Sequence, residues 1–153
     1  MLTTNKNFLQ PTGFRVVINR EEYPNLEYFA QSVNHPGASV NPTEISIPRL
    51  SQLPLQGDKL TYTELSINLI IDEDMESYKE MQKWMEESVE TIDDITADIT
   101  VLILTSHNNK NIEIRYKNCM PTNIGAFELN STTGDTTFLT FDATFRFSHF
   151  EII

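Results

Sequence analysis

The sequence predicts a mainly β protein: an antiparallel β-sandwich or barrel with one α-helix packed on its outside. Three observations carry this. From Leu65 onward, Leu65, Ile67, Leu69 and Ile71 alternate with Ser66, Asn68 and Ile70, which is the period of a strand with one face on a core. Directly after it, Met75, Tyr78, Met81, Trp84 and Met85 recur at helical spacing among Glu76, Lys79, Glu80, Lys83, Glu86 and Glu87. Most of the remaining chain reads as strand-like runs punctuated by turn signals, about seven strands in all around one main helix.

The stretch Gly57 to Met85 holds the strand and the helix together. Asp72-Glu73-Asp74 ends the strand, and three carboxylates at a helix start predict capping of its free N–H groups. The cluster has neither the ligand spacing nor the turn glycine of a calcium loop. The Met and aromatic stripe behind it could line a cofactor or peptide groove, but packing a helix on a sheet requires the same stripe.

At 153 residues the chain is sized for one domain, 1–153, with a substantial core. It contains no apolar run near the roughly 20 residues that cross a bilayer, so no membrane insertion is expected. The opening MLTTNKNFLQPTG has no apolar core of a secretory signal. Cys119, the single cysteine, excludes an internal disulfide and reads as a buried thiol. Net charge is -11. The segment Asp72 to Asp98 holds 11 acidic residues against Lys79 and Lys83, so the excess is local. Such a chain does not grip phosphates, which need clustered Lys and Arg. The acidic segment is either a solvated face or a docking surface for a basic partner.

In chain order, residues 1–12 read as a loose arm. Gly13 to Asn19 alternates as a first strand, and Arg20 to Asn25 is a polar connection with a turn at Pro24-Asn25. Leu26 to Val33 reads as a second strand, with Tyr28 and Phe29 between turn signals. His35-Pro36-Gly37 ends it. In Val40 to Leu55, Pro42, Pro48 and Pro54 recur every six residues among Ile45, Ile47, Leu50, Leu53 and Leu55. Proline removes ladder donors, so this is not a central strand. It is too apolar for an idle loop, and either lies across its own core or reaches a neighbouring subunit. Glu86 to Asp98 is an acidic connection with room for a little more helix, Ile99 to Thr105 a strand buried on both faces for part of its length, Ser106 to Lys110 a polar hairpin turn and Asn111 to Asn118 an alternating strand. Cys119 to Asn130 starts bent and bulged at Pro121 and firms up at Ala126 to Leu129. After a turn at Ser131 to Asp135, Thr136 to Ile152 reads as one long final strand.

No residues are spaced for catalysis, and neither a metal nor a cofactor is expected. The chain has no phosphate-binding glycine loop, no HExxH and no nucleophile elbow. His35, His107 and His149 are scattered, and nothing around Cys119 activates a thiolate.

An ordered set of residues does resemble a family. Gly57-Asp58 precedes the central strand, Trp84 sits in the helix, Pro121-Thr122-Asn123-Ile124-Gly125 comes late, and alternating aromatics run from Phe141 to Phe150. Over Gly13 to Ile153 this order resembles the tail tube proteins of contractile-tailed, T4-like bacteriophages. No one motif is diagnostic; order and length carry the resemblance. It implies the tube fold shared with the Hcp protein of type VI secretion, with six subunits closing into rings and rings stacking into a hollow virion tube. It also implies the partners: other copies of the chain, a sheath protein, a tape measure protein, a baseplate tube initiator, and DNA passing through the bore without specific binding. Assembly would take place in the host cytoplasm. Residues 40–56 then become an inter-subunit loop, with Ile45, Ile47, Pro48, Leu50, Leu53, Pro54 and Leu55 as interface candidates. Glu80, Glu86, Glu87 and Glu90 become candidates for an acidic surface facing the sheath. Three other readings remain open: a tube-initiating baseplate protein, the tube of a phage-derived injection device, and a monomeric β-sandwich binding module.

Overall fold

Strand pairing in the protein centres on one long strand that turns a corner. A computed structural model describes residues 7–18, 24–48, 51–91, 95–132, 134 and 138–153. Among these, β1 is Phe14–Ile18, α1 Pro24–Tyr28, β2 Ala30–Asn34, β3 Ala38–Val40, β4 Thr43–Ile45, β5 Leu53–Leu55, β6 Leu60–Tyr62, β7 Leu65–Ile70, α2 Glu76–Glu90, β8 Ala97–Leu104, β9 Lys110–Ile124, β10 Thr140–Arg146 and β11 His149–Ile152. The main sheet has seven strands in the order β1-β8-β9-β10-β7-β2, with β11 also on β9. All of its pairings are antiparallel.

The 15-residue β9 belongs to both halves of this sheet. Its first part pairs with β8 and β11, and Met120 to Ile124 pair with β10. Between the two parts stands Asn118, at a φ of 54°. Asparagine tolerates the left-handed region better than other residues with a Cβ, so it is suited to such a bend. The strand running alongside breaks at the same level. Ser148, between β10 and β11, donates its N–H to the Lys117 carbonyl at 3.0 Å.

Both halves send their apolar parity to one core. Val16, Ile18, Ile99, Val101, Ile114 and Tyr116 come from one half; Leu65, Ile67, Leu69, Phe141, Ala143 and Phe145 come from the other. The helix closes it. Met81 and Trp84 are fully buried, as the helical spacing predicts, and the Trp84 ring lies 5.4 Å from Phe145. Tyr78 meets Phe141 edge-on at 5.3 Å. The arrangement is sandwich-like and not a closed barrel, consistent with the expected class. Cys119 is buried as expected.

Five local expectations need correction. Leu26 to Val33 is not one strand: α1 takes its first part and β2 its second. Pro24 presets the helical φ at the start of α1, and Glu80 of α2 caps it from outside, a contact invisible to local propensity. Asp72-Glu73-Asp74 does not cap α2. The N-cap is Met75, in the left-handed region at φ 56°, with no side-chain cap. The Ser77 hydroxyl instead donates to the Ile70 carbonyl at 2.9 Å, tying the first turn to the end of β7, and the chain between must turn sharply. Cys119 to Ile124 continues β9, and Ala126 to Leu129 is not strand, the reverse of the expected order. Gly125 lets the chain pass close to β10, where its N–H donates to Asp142 O at 2.6 Å. The long final strand is two strands broken at Phe147-Ser148, so the alternation of Phe141 to His149 does not persist; its start at Thr136 lies outside the described residues. Val40 to Leu55, expected as an extended loop, contains a hairpin, β4 with β5.

No helix among the described residues is long and apolar enough to cross a membrane.

Trp84→Ala removes the largest fully buried side chain from the layer between α2 and the sheet. Urea denaturation of this variant should show a loss of about 3–5 kcal/mol of stability.

Candidate assembly surface

Two short ribbons in series project from the main sheet. At the root, β3 pairs with β6, Ala38 opposite Tyr62 and Val40 opposite Leu60. Beyond it, β4 pairs with β5, Thr43 opposite Leu55 and Ile45 opposite Leu53. Pro54 faces Glu44 in this ladder; a two-stranded ribbon tolerates the missing donor because each strand keeps one free edge.

The root is fastened on both sides. Thr63 N–H donates to Gly37 O at 2.9 Å and Gly37 N–H to Thr63 Oγ1 at 2.8 Å. The Tyr62 ring packs 5.4 Å from Phe147 and 5.2 Å from Phe150, joining the arm to the segment beside the sheet corner. His35 completes this aromatic group, with Nδ1 2.6 Å from the Tyr116 hydroxyl and its ring edge-on to Phe150 at 5.0 Å. Partial desolvation there lowers the His35 pKa below its ordinary value.

Between root and tip the backbone crosses itself. A Cβ on Gly57 would lie 1.9 Å from Asn41 O and 2.8 Å from Asn41 C, both backbone atoms that cannot rotate aside. Glycine is required here by close approach, not by its φ.

The tip presents apolar side chains to solvent. Ile45, Leu53 and Leu55 are 44%, 48% and 43% exposed. Pro48 and Pro54 are exposed and Ile47 is half-buried; Leu50 lies outside the described residues. Two further members escaped sequence reasoning. Val40 and Leu60, paired across the root, are 45% and 56% exposed. Leu60 sits where strand parity is still irregular, so its exposure carried no sequence signal.

The acidic candidates separate. Glu80 faces inward to α1: its carboxylate accepts from Asn25 N–H at 3.1 Å, Asn25 Nδ2 at 2.7 Å and Leu26 N–H at 3.2 Å. Glu86 and Glu90 are exposed, and Glu87 is half-buried with Lys83 at 3.7 Å. The chemistry of the rest is quiet. Burial pushes the Cys119 thiol up to about 12, which leaves no nucleophilic thiolate near neutrality. Among the described residues, no group of three or more His, Cys, Asp or Glu could hold a metal.

A model of the phage tail tube protein family matches residues 2–153. The chain belongs to this family. Solved structures agree in fold. One is the extended sheath–tube complex of an extracellular contractile injection system, PVC, at TM-score 0.74 and 15% identity, covering 97% of this chain and 93% of that one. A second is the tube-terminating cap of an anti-feeding prophage, at TM-score 0.72 and 11% identity, covering 100% and 95%. A third is an Hcp protein, at TM-score 0.55 and 9% identity, covering 92% and 98%. No curated protein sequence matches the chain. The family thus supplies the tube character of the protein, while the arm and its residues come from this chain's own geometry.

Two substitutions separate core from arm. Gly57→Ala should leave the melting temperature near that of the native chain while displacing the hairpin, read as chemical-shift changes confined to residues 40–57. Glu80→Ala strands two helix-terminal N–H groups and should cost about 1–3 kcal/mol in chemical denaturation.

Proposed function

We propose that the protein is the structural subunit of a contractile-tail tube, acting as one unit that closes into hexameric rings stacked as a hollow conduit. The observation that carries this is the combination of an exposed apolar arm with sheet edges that are unpaired among the described residues, in a member of the tail tube family. An apolar projection is a liability in a monomer and an anchor in an oligomer.

The edges suggest how rings close. Among the described residues, β2 pairs only with β7, and Met120 to Ile124 of β9 pair only with β10. These are the two ends of one half-sheet. Joining the β2 edge of one copy to the β9 edge of the next is a heterologous contact, and such contacts close into rings when the rotation allows. The arm then reaches a neighbouring subunit or the next ring through Ile45, Ile47, Pro48, Leu50, Leu53, Pro54 and Leu55. Glu86, Glu87 and Glu90 offer an acidic surface to a basic sheath protein, whereas Glu80 is held by α1. The conduit would house a tape measure protein and pass DNA, with assembly in the host cytoplasm on a baseplate initiator and the finished tube in the virion. The likeness to an injection-system sheath–tube complex favours a second reading, a tube of a phage-derived injection device that carries no DNA.

Negative-stain electron microscopy of concentrated protein, with light scattering on the same sample, tests the proposal through rings or hollow filaments of uniform width. Leu53→Asp should keep native circular dichroism and melting temperature yet abolish those filaments. An unfolded Leu53→Asp monomer would place the hairpin in the core instead.

A further inference from the structure

The arm leaves the sheet on two legs, and both rest on one aromatic seat. The outgoing leg is His35-Pro36-Gly37, between β2 and β3, and the returning leg starts at Tyr62, the last residue of β6. Tyr116, Phe147 and Phe150 form the seat, with the Tyr116 ring 5.2 Å from Phe147 and 6.0 Å from Phe150. His35 and Tyr62 both pack on Phe150, at 5.0 and 5.2 Å. Ring pairs tolerate centroid separations from about 4.5 to 7 Å, whereas a hydrogen bond holds its atoms to a few tenths of an ångström. The bond between His35 Nδ1 and the Tyr116 hydroxyl, at 2.6 Å, therefore sets how the outgoing leg stands. Pro36 beside it is buried and has a fixed φ, so a displacement of His35 passes on to β3.

The bond depends on the protonation of His35. Tyr116 is fully buried, and among the described residues its hydroxyl has no partner besides His35. The hydroxyl proton is satisfied by donating to Nδ1, which requires the neutral ring with its own proton on Nε2. A charged ring carries hydrogen on both nitrogens, so Nδ1 no longer accepts and the buried hydroxyl proton faces a second donor. No charged side chain of the packed elements offsets this. β2 and β3 carry none. On β9, Arg115 and Lys117 lie on the parity opposite Tyr116 and pair with Glu113 and Asp98. On β11, His149 and Glu151 lie on the parity opposite Phe150. Glu64 and Arg146, close in sequence to Tyr62 and Phe147, are exposed. Tyr62 is the other titratable side chain of the group, and burial keeps the Tyr116 hydroxyl protonated by raising its pKa. The far side of His35 is open to solvent, so the ring exchanges protons with water.

We propose that His35 is a proton-sensitive latch on the arm: neutral, it holds the outgoing leg to Tyr116, and charged, it lets the leg go so that the hairpin can swing. Desolvation at the seat lowers the His35 pKa below its ordinary value, so the held state binds a proton less readily than the released one. Holding is complete above the ordinary histidine value of about 6.5 and weakens as pH falls from there through the lowered value. The latch acts within one chain, whether or not copies assemble.

NMR spectra of the dilute full chain between about pH 8 and pH 5, on either side of the ordinary histidine value, test the latch. In the native protein the amides of Ala38 to Val40 and Leu60 to Tyr62 should shift together, with the midpoint of the His35 ring proton and below the ordinary histidine value. The Overhauser contact between the His35 and Phe150 rings should be strong at the upper pH and lost at the lower. His35→Asn keeps an acceptor where Nδ1 stands but takes no proton, and its root amides should hold their high-pH positions throughout. Tyr116→Phe keeps the ring and loses the hydroxyl, and its root amides should hold the native low-pH positions throughout. Root amides that stay still in the native chain, or a His35 midpoint at or above the ordinary value, overturn the latch. Shifts with the His35–Phe150 contact intact report charge without movement and overturn release. Titration that persists in His35→Asn belongs to another group and overturns the role of His35. Tyr116→Phe spectra that match the native chain at both ends of the range overturn the hydroxyl as what His35 holds. Should Tyr116→Phe not fold, the native and His35→Asn titrations decide by themselves.

Discussion

The structure depends on one corner. The strand β9 is long enough to serve two half-sheets, but a straight strand would spread their apolar faces over one broad plane and leave them wet. The left-handed Asn118 and the break at Ser148 turn both strands at the same level. Asp98 fixes the bend from the neighbouring strand, accepting from Asn118 N–H at 3.2 Å and from Lys117 Nζ at 2.9 Å. Burial alone would raise the Asp98 pKa. The Lys117 hydrogen bond and charge, with Asn118 N–H, outweigh it and hold the carboxyl below the usual range, so the clamp is ionised near neutrality. Once the corner is set, Tyr116 and Phe145 face a shared interior and α2 fills the space that remains.

The corner also sets what is left outside. Turning β9 brings Met120 to Ile124 to one end of the second half-sheet, with β2 at the other end, and both edges stay unpaired among the described residues. Phe147 and Phe150 beside the break form the aromatic seat for Tyr62, which anchors the arm. The device that buries the core thus also positions the features suited to self-association. Exposed apolar side chains weaken a monomer's solubility, and free edges invite pairing. In the proposed tube, another copy of the same chain would satisfy both tendencies.

Several elements were legible because their cause is local. The parity of Leu65, Ile67 and Leu69 and the spacing of Met81 and Trp84 arise from the strand and helix periods themselves, and all five are buried. The turn before Lys110 was legible from its polar run. The arm was half legible: its prolines excluded a central strand and its leucines excluded an idle loop, but the β4–β5 pairing joins residues across a turn that periodicity does not reveal. The resemblance drawn from Gly57-Asp58, Trp84 and the late Pro-Thr-Asn segment supplied the family, which no propensity could.

What the sequence by itself determined was therefore the class: one-sided strands, one amphipathic helix, an acidic excess and no spacing for catalysis, all of which follow from nearest-neighbour chemistry. Tertiary structure alone decided the rest. Asn118 is an ordinary residue in an alternating strand until Ser148 and Asp98 lie beside it. Glu80 reads as one more surface acid until α1 places two N–H groups against its carboxylate. Gly57 needs to be glycine only because Asn41 passes against it. In each case the deciding atom is distant in sequence and within about 3 Å in space, the range at which a hydrogen bond or a steric clash acts and at which local patterning is silent.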